Sequence, residues 1–168
     1  MALLEGNKVL VESKRVESQL QQKGFGERAE GRHVLDLFEA FYLLEKKKLE
    51  VKKGGKKLSK KKFFEYASAK EKNFFEKFSV FQDLRNRGFC VRTGFKFGFD
   101  FRVYPRGKKP GQAHTQWVVN VSGQSKRFSM TELSRMVRLS GNIRTELLFA
   151  VVDSENDINY YKAERITP

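Results

Sequence analysis

The chain has 168 residues, 39% of them hydrophobic and 16 of them Phe, enough to build one ordinary domain or two small ones and too apolar for a disordered tail. Its 34 Lys and Arg against 20 Asp and Glu leave a formal net charge of +14, which points to a polyanionic partner ahead of a merely solvated basic surface or an anionic membrane. The single cysteine, Cys90, excludes an intramolecular disulfide and a cysteine metal cluster; two histidines are too few for a zinc set, so no cofactor is expected. No apolar run approaches the roughly 18–20 residues of a spanning helix and MALLEGNKVL is not a signal segment, so a soluble, cytoplasmic protein is expected.

The first 25 residues, with NKVLVES and SQLQQKGFG, read as short strands and turns punctuated by Gly24 and Gly26. From Val34 to Leu49 apolar residues recur at three- and four-residue spacings, predicting an amphipathic helix that ends in Lys46, Lys47 and Lys48. His33, just ahead of it, has no motif around it and reads as structural or solvated. VKKGGKK is a solvated turn in which Gly54 and Gly55 are free to adopt positive φ. Ser59 is placed to cap a second helical region, whose Phe63, Phe64, Phe74, Phe75 and Phe78 follow helical spacing and read as core.

Around Arg87-Gly88 the period changes from helical to alternating, and FCVRTG, FDFRVYP and TQWVVNV read as strands. Cys90 lies in the first of them and reads as buried and inert. A helix capped by Ser129 or Thr131 then runs to Gly141, followed by a central strand, ELLFAVVD, and an edge strand, INYYKAERI, whose open side invites another subunit. The expected fold class is α/β (α+β): a small N-terminal α/β domain over residues 1–82, and a C-terminal α/β domain over 83–168 with a mixed sheet flanked by helices.

Within the glycine-rich, basic passage VRTGFKFGFDFRVYPRGKKPGQAHTQWVV stand a phenol, Tyr104, and an imidazole, His114. Those groups can move protons at an RNA 2′-hydroxyl and a 5′-leaving oxygen, while Lys and Arg hold phosphate. A phenol is a poor base near neutral pH unless cations favour its anion, and Arg102, Arg106, Lys108 and Lys109 are at hand in sequence. Histidine exchanges a proton close to neutral pH.

The run from Phe81 to Tyr104, FxDLRxRGFxVxTGFKFGxDFRVY, is followed by AHTQWVV, ELSRMVRLSGNIR and LLFAVVDSENDINYY, with HVLDLFEAFYLLEKKKLEV upstream. In that order and spacing these segments resemble the archaeal tRNA-splicing (tRNA-intron) endonucleases over roughly residues 8–168. The resemblance implies an N-terminal α/β domain and a C-terminal catalytic α/β domain. It also implies assembly into dimers or tetramers, and metal-independent cleavage of precursor tRNA at the bulges flanking an intron, a bulge-helix-bulge motif.

By the same resemblance Tyr104 is the base on the 2′-hydroxyl, whose attack leaves a 2′,3′-cyclic phosphate, and His114 is the acid that protonates the departing 5′-oxygen. The family's third catalytic residue, a lysine, falls at Thr145, where a neutral hydroxyl cannot replace a full positive charge. Arg144, adjacent to it, would face the other side of a regular strand. Arg138 matches an arginine that clamps a flipped bulge base by cation–π contact; Arg165 or Lys162 is the candidate second clamp, and Arg102 a further RNA contact. The loop SGQSKR lacks the acidic residues with which family members dock into an opposing subunit, which points to a distinct acidic-looped partner. Two other readings stand beside cleavage: a non-catalytic structural subunit that positions RNA within a hetero-oligomer, and a basic duplex-binding module.

Overall fold

Glycine and asparagine at positions 6 and 7 let the chain double back at once, joining β1 (Ala2–Glu5) to β2 (Lys8–Val11) as an antiparallel hairpin. The computed structural model describes residues 1–168 and separates into two compact units, Met1–Phe74 and Phe75–Pro168. In the first, α1 (Lys14–Gln22), β3 (Glu27–Ala29), β4 (Arg32–Asp36), α2 (Leu37–Glu45), β5 (Val51–Lys53), β6 (Lys56–Lys57) and α3 (Lys60–Lys70) follow. The sheet order is β3-β4-β2-β1-β5-β6, antiparallel throughout except where β1 lies parallel to β5.

Two expectations are corrected here. The segment SQLQQ is helical, in α1, because Val16 and Leu20 stand one turn apart and Leu20 is buried; two apolar residues in nine are too few to betray a period in the sequence. The helix expected from Val34 starts only at Leu37, since Val34 and Leu35 belong to β4 and pair with β2. Asp36 sets the boundary: its carboxylate accepts from Glu39 N at 2.8 Å while Glu39 returns the bond to Asp36 N at 3.2 Å, a reciprocal cap. Glu39, almost fully buried, also accepts from Gly26 N at 3.0 Å and so ties the β3 turn to α2. The core of this unit is largely aromatic, with Phe41 stacked on Phe63 and Phe38 on Phe74. His33 is 1% exposed and sits under Gly26, a structural place.

The second unit comprises α4 (Phe74–Asn86) from its second residue on, β7 (Cys90–Thr93), a 3₁₀ turn (Phe95–Phe97), β8 (Phe101–Tyr104), β9 (Trp117–Gly123), α5 (Met130–Asn142), β10 (Glu146–Val152) and β11 (Ile158–Ala163). Its sheet runs β11-β10-β9-β8-β7, so β10 is internal and β11 an edge. β9 and β10 are parallel, joined through α5, and the other pairs are antiparallel. Ser129 and Glu132 form a reciprocal cap that starts α5, and Met136, Val137 and Ile143 cover Phe99, Val118 and Leu147. Cys90 is buried. Phe75 is the exception among the helical phenylalanines expected in the core: it is 51% exposed. The architecture is a mixed α+β fold with an N-terminal and a C-terminal unit, and no helix is long and apolar enough to cross a membrane.

Candidate active site

β8 ends at Tyr104 because the next residue, Pro105, has no N–H to continue a ladder. Tyr104 is buried and lies opposite Cys90. The chain then leaves the sheet in a glycine-bearing loop and returns at Trp117, the first residue of β9. Gln116 N donates to Val103 O at 2.8 Å, which draws the loop's end against β8.

The register then does what no sequence pattern reveals. Val103 pairs with Trp117, and Trp117 with Glu146, so the three strands share one transverse row. Tyr104 is the last residue of β8, and Gln116 and Thr145 immediately precede β9 and β10 at that end of the sheet. The Thr145 hydroxyl donates to Gln116 O at 2.9 Å, which ties the two strand starts together.

His114 reaches the same place from the loop. α5 ends in a turn in which Arg144 takes a left-handed conformation (φ 54°), with Arg144 N donating to Gly141 O and Thr145 N to Ser140 O. That turn presents two carbonyls to the imidazole: Nε2 of His114 lies 3.2 Å from Ile143 O and 3.1 Å from Arg144 O. Carbonyls only accept, so Nε2 carries the hydrogen and Nδ1 is the ring nitrogen that neither carbonyl engages. His114 itself is exposed.

The other sequence-predicted residues lie differently. Arg102 is half-buried: Nε donates to Thr93 O at 3.0 Å and the guanidinium lies 5.3 Å from the Phe97 ring centre. Lys162, on β11, pairs with Glu146 at 3.3 Å and Glu164 at 3.4 Å, and the hydrogen bond to Glu146 holds its ammonium above the usual lysine range. Glu146 also accepts from the Trp117 indole at 3.1 Å, so the carboxylate of the residue that follows Thr145 links Lys162 to Trp117. Arg138 is exposed on α5 and Arg165 is exposed beyond β11; no bond joins either to the Tyr104–His114–Thr145 cluster. Arg106, in the loop, stacks 4.9 Å from the Phe89 ring centre. Gln116 and the Arg144 carbonyl, which hold the cluster together, were not foreseen. Both act through main-chain atoms, which leave no mark on residue type.

A buried phenol, an imidazole with one nitrogen pinned and a basic loop at one end of a sheet suit general acid–base chemistry on a phosphodiester. No group of three or more His, Cys, Asp or Glu is placed to hold a metal ion. The family profile described as tRNA intron endonuclease, catalytic C-terminal domain, matches residues 74–160, and that of the tRNA intron endonuclease, N-terminal domain, matches residues 1–64. The chain is 40% identical over 162 residues to a tRNA-splicing endonuclease of Thermococcus onnurineus, covering 96% of this chain and 93% of that one. It is 38% identical over 144 residues to the tRNA-splicing endonuclease of Methanothermobacter thermautotrophicus, covering 86% and 84%. Against the tRNA-splicing endonuclease of Methanosarcina mazei the identity is 34% over 165 residues, 98% of this chain but 46% of that longer one.

Proposed function

The chain belongs to the tRNA intron endonuclease family, and from that premise we propose that it cuts precursor tRNA at bulge-helix-bulge motifs without a metal, leaving 2′,3′-cyclic phosphate and 5′-hydroxyl ends. What supports the chemistry is that Tyr104 ends β8 at the end of the sheet where Gln116 meets Thr145 and where His114 lies against the Ile143 and Arg144 carbonyls. Tyr104, acting as its phenolate, takes the 2′-hydroxyl proton, O2′ forms a bond to phosphorus, and the bond from phosphorus to O5′ breaks as Nδ1–H of the His114 imidazolium protonates O5′, leaving a neutral phenol and a neutral imidazole. No water is consumed, because the nucleophile belongs to the substrate. The two pinning carbonyls keep Nε2–H in place, so the proton given up is the one on Nδ1.

Charge on the phosphorane is the weak point. The Thr145 hydroxyl is already spent on Gln116 O and is neutral in any case. Arg144 offers the nearest cation in sequence, and its left-handed turn removes the strand alternation that would have sent it to the opposite face from Thr145. The same vacancy supports a second reading, in which this chain is a structural subunit that positions RNA while a partner cuts. Assembly through the open edge of β11, with a partner bearing the acidic loop that SGQSKR lacks, fits either reading. Arg138 and Arg165 are proposed to hold the bulge, with Lys162 and Arg102 as supporting contacts.

The test is cleavage of a bulge-helix-bulge RNA in EDTA by wild type, His114→Ala and Tyr104→Phe. Catalysis by this chain predicts cyclic-phosphate product from wild type and a loss of about 10²–10⁴ in rate for each variant. Equal rates in all three, or product only when a second subunit is added, assign the chain the structural role.

A further inference from the structure

The positive charge of this chain is not spread evenly. Residues 46–72, in the first unit, hold twelve lysines against three glutamates, a surplus of nine in a chain whose net charge is +14. The 45 residues before them carry more acidic than basic side chains. A solvated face would need no such concentration, and three observations set this one against local electrostatic preference.

First, β5 and β6 pair Lys52 with Lys57 and Lys53 with Lys56, setting like charges directly opposite on a two-residue-wide ribbon, an arrangement that destabilises a hairpin. Secondly, α3 opens with Lys60, Lys61 and Lys62 and has no acidic residue in its first turn, so cations crowd the positive end of the helix dipole. Thirdly, relief is partial: Lys57 pairs with Glu50 and Lys60 with Glu45, while Lys53 and Lys70 lie over the Tyr66 ring, and no ion pair engages Lys56, Lys61 or Lys62. A sequence that repeatedly breaks local rules at one place does so for function.

The residue type narrows the partner. All twelve cations are lysine and none is arginine, whereas arginine outnumbers lysine in residues 75–168. Lysine is a point charge that meets phosphate without the planar fork used to read a base or grip a carboxylate bidentately. Phosphate contacts position a nucleic acid without reading it. We infer that the β5–β6 ribbon and the first turns of α3 form a second RNA surface that binds the phosphate backbone of the tRNA body independently of sequence, with no part in the bond-breaking step. This rests on the reading of the chain as a tRNA-processing protein, and the two fail separately.

The experiment compares the full chain with Lys56→Gln/Lys61→Gln/Lys62→Gln and with a control of equal charge change elsewhere in the unit, Lys8→Gln/Lys14→Gln/Lys23→Gln. Affinity for intron-free tRNA is measured across salt concentrations, which tests the surface whether or not the chain cuts. The first triple is expected to bind about 10-fold more weakly near physiological salt and to flatten the log–log salt slope by about 2–3, one charge contact each. The control is expected to match wild type. On a cleavable precursor the first triple raises KM and leaves kcat unchanged. Equal affinity and slope for wild type and the first triple overturn the inference. So does an unchanged affinity with altered sedimentation, which would mean that the surface meets a protein, such as the acidic Asp153–Asp157 turn of a second copy. A wild type that binds tRNA through these lysines yet cuts no junction RNA overturns the cleavage reading alone.

Discussion

Thr145→Lys places a cation where Thr145 meets Gln116 O, beside the Arg144 carbonyl that holds His114. A unit charge about 4 Å from a developing negative charge is worth about 4 kcal/mol at an effective dielectric constant of about 20. That is a factor of roughly 10²–10³ in rate, the size seen when one preorganised contact to a charged intermediate is removed. The cost is small: the substitution gives up the hydroxyl bond to Gln116 O, an exposed one, worth about 0.5–1.5 kcal/mol of stability. Single-turnover cleavage of a bulge-helix-bulge RNA in EDTA, at saturating protein, reads the chemical step directly. Thr145→Lys should exceed wild type by about 10²-fold or more, and Thr145→Met, nearly as long but neutral, should not. A folded Thr145→Lys no faster than Thr145→Met refutes the reasoning that a charge is lacking at position 145. If Arg144→Ala then slows wild type by about 10²-fold, the arginine of the left-handed turn already supplies it.

His114→Gln offers an amide N–H to the Ile143 and Arg144 carbonyls but no acid–base group, so folding, read by thermal melting, should hold while cleavage falls by about 10²-fold or more. Gly26→Ala places a Cβ 2.3 Å from His33 Nε2 at a residue with φ of 72°, and should destabilise by about 2 kcal/mol or more in urea unfolding. Tyr160 donates to Asp83 at 2.6 Å, and burial together with that carboxylate raises its phenol above the ordinary value of 10. The folded state therefore favours the protonated phenol, so this contribution is complete below pH 10 and is lost as pH rises beyond it; Tyr160→Phe should remove that alkaline component from a stability–pH curve. Glu132, accepting from Ser129 N, is held below its ordinary value of 4.5, so its support of α5 is present above that pH and lost in more acidic solution. Protection of the Ser129 amide, corrected for the intrinsic exchange rate, should fall there, and Glu132→Gln, whose amide carbonyl accepts without titrating, should remove that pH dependence.

The helix caps show why part of the fold was legible. Ser59 and Ser129 each accept a main-chain bond three residues on, a local event written in residue type, and Gly54-Gly55 turn the β5–β6 hairpin with positive φ as expected. Asp36 was equally local, yet the apolar run from Val34 masked it: a buried strand and a helix both present continuous apolar residues, and only pairing with β2 decides between them. Arg102 and Lys162 looked like free cations in the sequence, and their neighbours Thr93, Phe97, Glu146 and Glu164 engage them in the fold.

The order of motifs from Phe81 to Tyr160, the charge surplus and the absence of a lysine at position 145 are properties of the chain itself, readable because each depends on residue identity and spacing alone. The placement of Tyr104, His114 and Thr145 at one end of the second sheet is of another kind. It depends on the parallel register of β9 and β10, the antiparallel register of β8 and β9, and a left-handed turn at Arg144 that aims two carbonyls at one imidazole nitrogen. Those are main-chain events between residues as much as 41 positions apart, from Tyr104 to Thr145, and only strand pairing brings them to the same end of the sheet.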